Sequence, residues 1–311
     1  MELDVIIPLY NEEENIMMLY HELVNTLGKI KYNLIFVDDG SVDQSLKLVT
    51  KLYQSDKKHI KVIAFSRNFG KDSAIFAGME VSNAKYAVII DADMQQHPKH
   101  IIEMLNFLEE HSLYDEVAMV NDYANDSVFS KIFKNIFYKL MKKVTHQNYV
   151  TGASDFRLMR RDVVKTIVSM RESNRFTKGL FSWIGFNVYY MKYKPDKRYA
   201  GVSKFKFKRQ VTYAMDGIIN FSVAPLSFII WLGLIIAFGA FIYLIILVIK
   251  TLYLGIDVPG YASLMSIILL LGGLILFVLG IIGEYVSKTY IEIKRRPIYV
   301  SRLTLGIDKD L

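Results

Sequence analysis

A chain of 311 residues with no cysteine has neither disulfides nor thiolate metal sites, and it is long enough for a large soluble domain with a full core. The net charge of +7 is moderate, and much of the basic excess gathers beside two apolar runs near the C-terminal end. No single basic stripe runs through the soluble part, which argues against nucleic-acid binding. The opening residues read as a strand and not as a signal peptide.

Short apolar strands then alternate with helices. Strand patterns fall at 3–8, 34–38, 60–66 and 86–91, and helical patterns at 12–27, 45–54 and 71–81. Such alternation predicts βαβ units on a mostly parallel sheet, with ligands at its carboxyl edge. A further helix is expected over 98–111 and a strand over 117–120. Over 129–143, Phe129, Ile132, Phe133, Ile136, Phe137, Leu140 and Met141 keep a helical period, with Lys131, Lys134, Lys139, Lys142 and Lys143 between them. Two readings fit this stretch: a surface helix packed on the core, or a helix lying in a membrane interface.

Residues 1–207 read as one soluble domain and 208–220 as a juxtamembrane interfacial helix. The runs 218–249 and 258–283 contain no charged residue. Each is long enough to cross a hydrocarbon core of roughly 30 Å as a helix. The expected boundaries are 221–250 and 260–283 for two transmembrane helices, 251–259 for the loop between them and 284–311 for a tail. Two helices make only a hairpin, which argues against a transporter. They also lack the intramembrane ionisable residues of a channel. Lys204, Lys206, Lys208 and Arg209 precede the first run, and Lys288, Lys294, Arg295 and Arg296 follow the second. The loop has one acid, Asp257, and only Lys250 at its edge. The positive-inside rule then puts the soluble domain and both termini in the cytoplasm, with a multi-pass anchor in the inner (plasma) membrane. The basic flanks also attract anionic membrane lipids.

Three polar segments follow strands. Pro8-Leu9-Tyr10-Asn11-Glu12 is either an ordinary turn capped by Asn11 or a place where Tyr10 covers a nucleobase and Glu12 bonds a base or ribose. Asp38-Asp39-Gly40-Ser41 is either an acidic turn or a carboxylate receptor for ribose hydroxyls. In Asp91-Ala92-Asp93-Met94-Gln95, alternation along an extended chain presents the oxygens of Asp91, Asp93 and Gln95 on one side. Hard divalent cations take such oxygens together with substrate phosphates. A metal-and-nucleotide site on a chain tethered to a bilayer suggests an enzyme that joins a water-soluble donor to a lipid acceptor.

The three segments together give the chain its likeness. It resembles family 2, GT-A-fold glycosyltransferases, and more narrowly the bactoprenol (polyprenyl-phosphate) glucosyltransferase branch, related to dolichol-phosphate mannose synthase. The likeness covers nearly the whole chain. It includes Arg67-Asn68-Phe69-Gly70-Lys71, Ser154-Asp155-Phe156-Arg157, Asn174-Arg175-Phe176, Trp183-Ile184-Gly185-Phe186 and Arg198-Tyr199-Ala200-Gly201-Val202-Ser203-Lys204-Phe205. The resemblance implies an α/β GT-A (Rossmann-like) domain, interfacial helices and a C-terminal transmembrane hairpin. It implies that Pro8, Tyr10, Glu12, Asp38, Asp39, Lys71 and Asp91 bind the nucleotide sugar. Asp91, Asp93 and Gln95 then hold Mg²⁺ or Mn²⁺, with Asp93 also catalytic. Asp155 corresponds to the acid often proposed as catalytic base. Arg198, Ser203, Lys204 and Arg175 match residues that engage phosphate or the lipid acceptor.

The implied reaction is inverting transfer from a UDP-hexose or UDP-N-acetylhexosamine to polyprenyl (undecaprenyl) phosphate, whose product a flippase turns outward. Homo-oligomers are left open. Two stretches depart from the pattern. Residues 120–127 carry no basic residue, and Pro195-Asp196-Lys197 lacks an arginine expected before Arg198. Both bear on donor identity. Rival readings are a GDP-mannose-using synthase, an inactive nucleotide-sugar-binding scaffold, and a processive synthase. The last is disfavoured because neither Trp183 nor Trp231 lies in a Gln-x-x-Arg-Trp motif.

Overall fold

A computed structural model describes residues 2–121, 150, 152–173, 175, 177–194, 219, 222–254 and 260–307. The expectations for the helix at 129–143, for Arg198, Ser203 and Lys204, and for nearly all of 208–220 lie outside the described residues. The chain divides into two compact units. One comprises Met1–Ala214 with Arg296–Leu311, the other Met215–Arg295.

In the first unit the described elements are β1 (Glu2–Leu9), α1 (Ile16–Leu27), β2 (Lys31–Asp38), α2 (Ser45–Ser55), β3 (Ile60–Phe65), α3 (Lys71–Val81), β4 (Tyr86–Ile89), α4 (Lys99–Glu110), β5 (Glu116–Asn121), β6 (Ala153–Arg160), α5 (Arg161–Ser169), α6 (Thr177–Trp183) and β7 (Val188–Tyr193). A last strand, β8 (Ser301–Leu305), returns to it after the second unit. The sheet runs β7-β5-β6-β4-β1-β2-β3-β8. Its middle, β4-β1-β2-β3, is parallel, as the alternation of strands and helices predicts. Strands β6 and β8 run antiparallel to their neighbours.

β1 is buried from Leu3 to Leu9 because helices cover both faces of the sheet. Val5 and Ile7 pack with α1, α2 and α4 on one side. Ile6 packs with α3, α5 and Phe181 on the other. The latter contact needs Gly78, since a Cβ there would lie 2.3 Å from Ile6 Cγ2. Buried Asp4 accepts from four donors: Asn33 Nδ2 at 2.7 Å, Ser82 Oγ at 2.8 Å, and the N–H groups of Asn83 and Ala84 at 2.8 and 3.0 Å. It pins β1 to β2 and to the turn before β4.

Pro8 does not end its strand; β1 continues through Leu9. The Ile6 carbonyl accepts from Ile90 N–H, so Ile6 and, two residues on, Pro8 face β4. Pairing with β4 has stopped at Ile6, and the missing N–H of Pro8 therefore costs no ladder bond.

The second unit holds α7 (Ala224–Leu254) and α8 (Tyr261–Ile293). With 31 and 33 residues they are roughly 46 and 50 Å long, longer than the hydrocarbon core. α8 continues past the charge-free run through Glu284, Lys288 and Glu292. Tyr285 Oη, late in α8, donates to the Ser222 carbonyl just before α7 at 2.7 Å, so the helices form an antiparallel hairpin. Phe228, Trp231, Phe238, Phe241, Leu270 and Phe277 are all exposed, an apolar surface far larger than water tolerates.

Residues 301–305, expected within a tail, form a strand of the sheet. β8 pairs with β3 from Val62↔Leu305 to Phe65↔Ser301. The short polar-flanked run 301–305 carries too little pattern for a strand assignment, and only the open edge of β3 makes it one.

Candidate active site

Most of the candidate residues among those described meet at the carboxyl edge of the parallel strands. Two loops there are laced together. Asn11 N–H donates to Ser41 Oγ and Glu12 N–H to Ser45 Oγ, both at 2.9 Å, while Asn11 Oδ1 accepts from Val42 N–H at 2.9 Å. Asn11 takes a left-handed φ of 54° to do this and caps the neighbouring loop, not α1, which starts at Ile16. Asp38 and Asp39 are buried at 0% and 3% exposure. Asp39 accepts from Phe69 N–H at 2.6 Å and from Gly70 N–H at 3.0 Å. Asp38 accepts from Ser41 N–H at 3.3 Å. Burial pushes both carboxyls above the usual range, and these N–H groups pull the other way. Gly40 has φ +69° and lies against the Arg67 backbone, 2.5 Å from where a Cβ would stand. Loops 39–41 and 67–70 thus form one packed block.

The turn after β4 carries the next carboxylates. Asp91, Asp93 and Gln95 are half-buried, whereas Ala92, Met94 and Gln96 are buried. The alternation expected from sequence is present, but the segment turns and is not extended. Burying Met94 in the core requires a left-handed φ of 61°. Gln95 N–H donates to Asp93 Oδ1 at 3.1 Å. The Gln96 amide clasps Asp91, accepting from its N–H at 2.9 Å and donating to Oδ2 at 3.0 Å.

Antiparallel β6 delivers Asp155 to the same edge. Ile89 lies opposite Arg157, so two residues further along each strand Asp91 lies abreast of Asp155. Lys71, the first residue of α3, bridges them: its Nζ is 2.6 Å from Asp91 Oδ1 and 2.9 Å from Asp155 Oδ2. The Lys71 side chain is 44% exposed and the Asp155 side chain 17%. Burial acts to raise the Asp155 pKa, but Lys71 and then Lys178 outweigh it and hold the carboxyl well below the usual range. Burial acts to lower the Lys71 pKa, and attraction to Asp155 and Asp91 outweighs it and raises it. The site therefore holds a salt-bridged ammonium between two carboxylates.

This edge belongs to a known family. Residues 4–168, more than half of the chain, match the family described as Glycosyl transferase family 2, and residues 224–289 match the GtrB C-terminal hairpin. The chain belongs to glycosyl transferase family 2. Among similar proteins is an uncharacterized glycosyltransferase of Synechocystis, 40% identical over 99% of this chain and 96% of its own. The bactoprenol glucosyl transferase of Shigella phage SfII is 34% identical over 96% of this chain and 97% of its own. With both matches, the transferase falls in the bactoprenol glucosyltransferase branch. Among solved structures, glucosyl-3-phosphoglycerate synthase of Mycobacterium tuberculosis, in complex with Mn²⁺, UDP and phosphoglyceric acid, aligns with TM-score 0.50 at 15% identity, covering 70% of this chain and 76% of that one. It shares the GT-A fold.

In this glycosyltransferase the expected site residues divide into three groups. Lys71, Asp91 and Asp155 are in contact, and Tyr10, Glu12, Asp93 and Gln95 are half-buried at the same edge. Pro8, Asp38 and Asp39 are buried and shape the loops. Arg175, expected at phosphate, lies against the end of α5. It is 9% exposed and lies over the Phe76 ring at 4.2 Å. Its guanidinium donates to the Met170 carbonyl at 2.5 Å and the Ile167 carbonyl at 3.4 Å. The guanidinium thereby holds the end of α5, and its Nε has no hydrogen-bond partner among the described residues.

Sequence reasoning missed Gln96, Lys178 and the buried pair behind Asp155. Arg157 Nη1 donates to Glu116 Oε1 at 2.5 Å, Nη2 to the Ser154 carbonyl at 3.1 Å, and its guanidinium lies 3.7 Å from the Phe181 ring centre. The pair fixes the strand that carries Asp155. Glu116 gave no local signal, because its partner is 41 residues away.

Proposed function

We propose that this glycosyltransferase moves a sugar, with inversion, from a nucleotide sugar of the UDP-hexose or UDP-N-acetylhexosamine class to polyprenyl (undecaprenyl) phosphate at the cytoplasmic face of the membrane. The observation that carries the reading is the Asp91–Lys71–Asp155 bridge at the carboxyl edge of a family 2 domain whose chain also forms a long apolar hairpin. The relatives named for bactoprenol glucosyl transfer support the acceptor. Return of β8 to the sheet supports an even number of crossings, with both ends on the side of the soluble domain.

Tyr10 and Glu12 border the nucleoside, and buried Asp38 and Asp39 set the loop shapes around it. Asp91 and Asp93, with Gln95, offer only oxygen donors, on an edge that already draws a cation between its carboxylates; this set fits Mg²⁺ or Mn²⁺. Such an ion, when bound, offsets charge growing on the departing nucleotide diphosphate. Lys71 supplies a second positive charge beside Asp91, where the same field acts. A phosphate monoester is largely ionised near pH 7, its second pKa being about 6. The acceptor oxygen therefore attacks the anomeric carbon with little need of a base. Asp155, held as a carboxylate, orients the sugar or acceptor and Lys71 more than it takes a proton. Arg198, Ser203 and Lys204 engage phosphate next to the bilayer. The product, a lipid-linked monosaccharide facing the cytoplasm, serves cell-envelope glycosylation after a flippase turns it outward.

The test incubates the purified protein with undecaprenyl phosphate, Mg²⁺ or Mn²⁺ and a panel of UDP- and GDP-sugars, with mass spectrometry of the lipid fraction. A lipid-linked monosaccharide from a UDP-sugar is expected. Donor turnover with no lipid product, or none with any donor, overturns the reading.

A further inference from the structure

We propose that Tyr299, in the segment after the second apolar helix, is a positioning residue for the donor loop 66–70. The proposal rests on the nucleotide-sugar reading above and adds to it a part of the chain that no motif of the catalytic domain contains.

The loop needs support because it follows β3, which would be the open edge of the parallel sheet if β8 were absent. Its N–H groups at Phe69 and Gly70 hold the Asp39 carboxylate, and its end starts α3 with Lys71. A frayed end of β3 would release both. β8 closes this edge, and the pairing extends one residue beyond β3, where Ser66 N–H donates to the Val300 carbonyl at 2.9 Å.

Tyr299 precedes that bond and reaches both sides of the loop. Its ring stacks on Phe65 at the end of β3, 4.8 Å between centroids and 21° between planes. Phe65 in turn meets Phe69 edge-on at 5.7 Å. The Arg67 guanidinium closes the column 4.0 Å from the Phe69 ring centre. On the other side, Tyr299 Oη donates to Glu80 Oε2 on α3 at 2.8 Å. One side chain thus links the last residue of the strand before the loop to the helix after it. Tyr299 touches none of the acids at the site, so it acts through Phe65, Phe69 and α3.

The experiment uses full-length protein in detergent, with calorimetry of UDP in Mn²⁺ and hydrogen exchange of peptides spanning 66–70. Aromatic pairs contribute enough that losing the ring stack should weaken UDP roughly two- to tenfold. Tyr299→Leu is expected to show this loss and faster exchange at 66–70. Tyr299→Phe, which keeps the stack, should restore most of the affinity. Phe69→Leu, which leaves β8 intact, should weaken UDP in the same range and serves if Tyr299→Leu does not fold. UDP affinity and loop exchange equal to the parent in a folded Tyr299→Leu, or in Phe69→Leu, with only a lower melting temperature, would overturn the proposal. A parent that binds neither UDP nor GDP overturns the nucleotide reading instead, and the exchange comparison still decides whether Tyr299 braces the loop.

Discussion

Replacing Lys71 with Met keeps the length and apolar volume of the stem and removes the ammonium. Two contacts go at once, at 2.6 Å to Asp91 and 2.9 Å to Asp155. Charge-assisted hydrogen bonds contribute about 1.5–3 kcal/mol each. The Lys71 side chain is 44% exposed, so solvent screening brings each to the bottom of that range or below it, about 1–1.5 kcal/mol. Together they amount to about 2–3 kcal/mol, or roughly 30- to 150-fold in kcat/KM when both contacts serve the transition state. The variant also has a pH signature. In the parent, burial favours the protonated Asp155, but Lys71 and Lys178 outweigh it and depress the pKa. The stabilisation from ionised Asp155 is then complete above the ordinary aspartate value of about 3.9 and is lost only as pH falls toward the depressed one. Parent stability carries no Asp155 signal between about pH 5 and 7. Without Lys71, burial is opposed less, the carboxyl moves upward, and the pH below which the stabilisation from ionised Asp155 is lost moves upward with it. Rates of lipid-linked product formation and melting temperatures at several pH values measure both effects. A variant within threefold of the parent in kcat/KM, with an unchanged pH profile of stability, refutes the bridge as a working part of the site.

Other perturbations probe the remaining parts. Asp93→Asn should lower Mn²⁺ retention in the presence of UDP, read by electron paramagnetic resonance, and reduce transfer at least tenfold while the melting temperature holds; unaltered Mn²⁺ binding would remove Asp93 from the metal set. For the topology, Ser55→Cys should resist an impermeant thiol reagent in sealed cells and Asp257→Cys should react, and labelling at position 55 would reverse the orientation. Arg198→Ala and Lys204→Ala should each raise the lipid-phosphate requirement by roughly tenfold, the size of one charge-assisted phosphate contact, with donor affinity unchanged. Lost donor affinity would assign the pair to the diphosphate instead.

Much of this architecture is legible in the sequence, for a local reason. Strand and helix periods, the length of a charge-free run and the polar residues that follow a strand are all properties of neighbouring residues. They were enough to read the parallel βαβ core, the hairpin and the edge carrying Asp38, Asp39, Asp91 and Asp93. Partnership across the chain was not legible. Asp155 and Lys71 are 84 positions apart, and only antiparallel β6, set beside β4, brings them together. Glu116 looks like any surface acid until Arg157 buries it. Arg175 has the charge of a phosphate ligand, and only the fold shows that it packs on Phe76 and donates to backbone carbonyls at the end of α5. The last segment, 296–307, is too short to declare a fold of its own. Its fate was decided by the unpaired edge of β3, where hydrogen bonds and the ring of Phe65 turn a stretch of chain beyond the membrane hairpin into part of the catalytic domain.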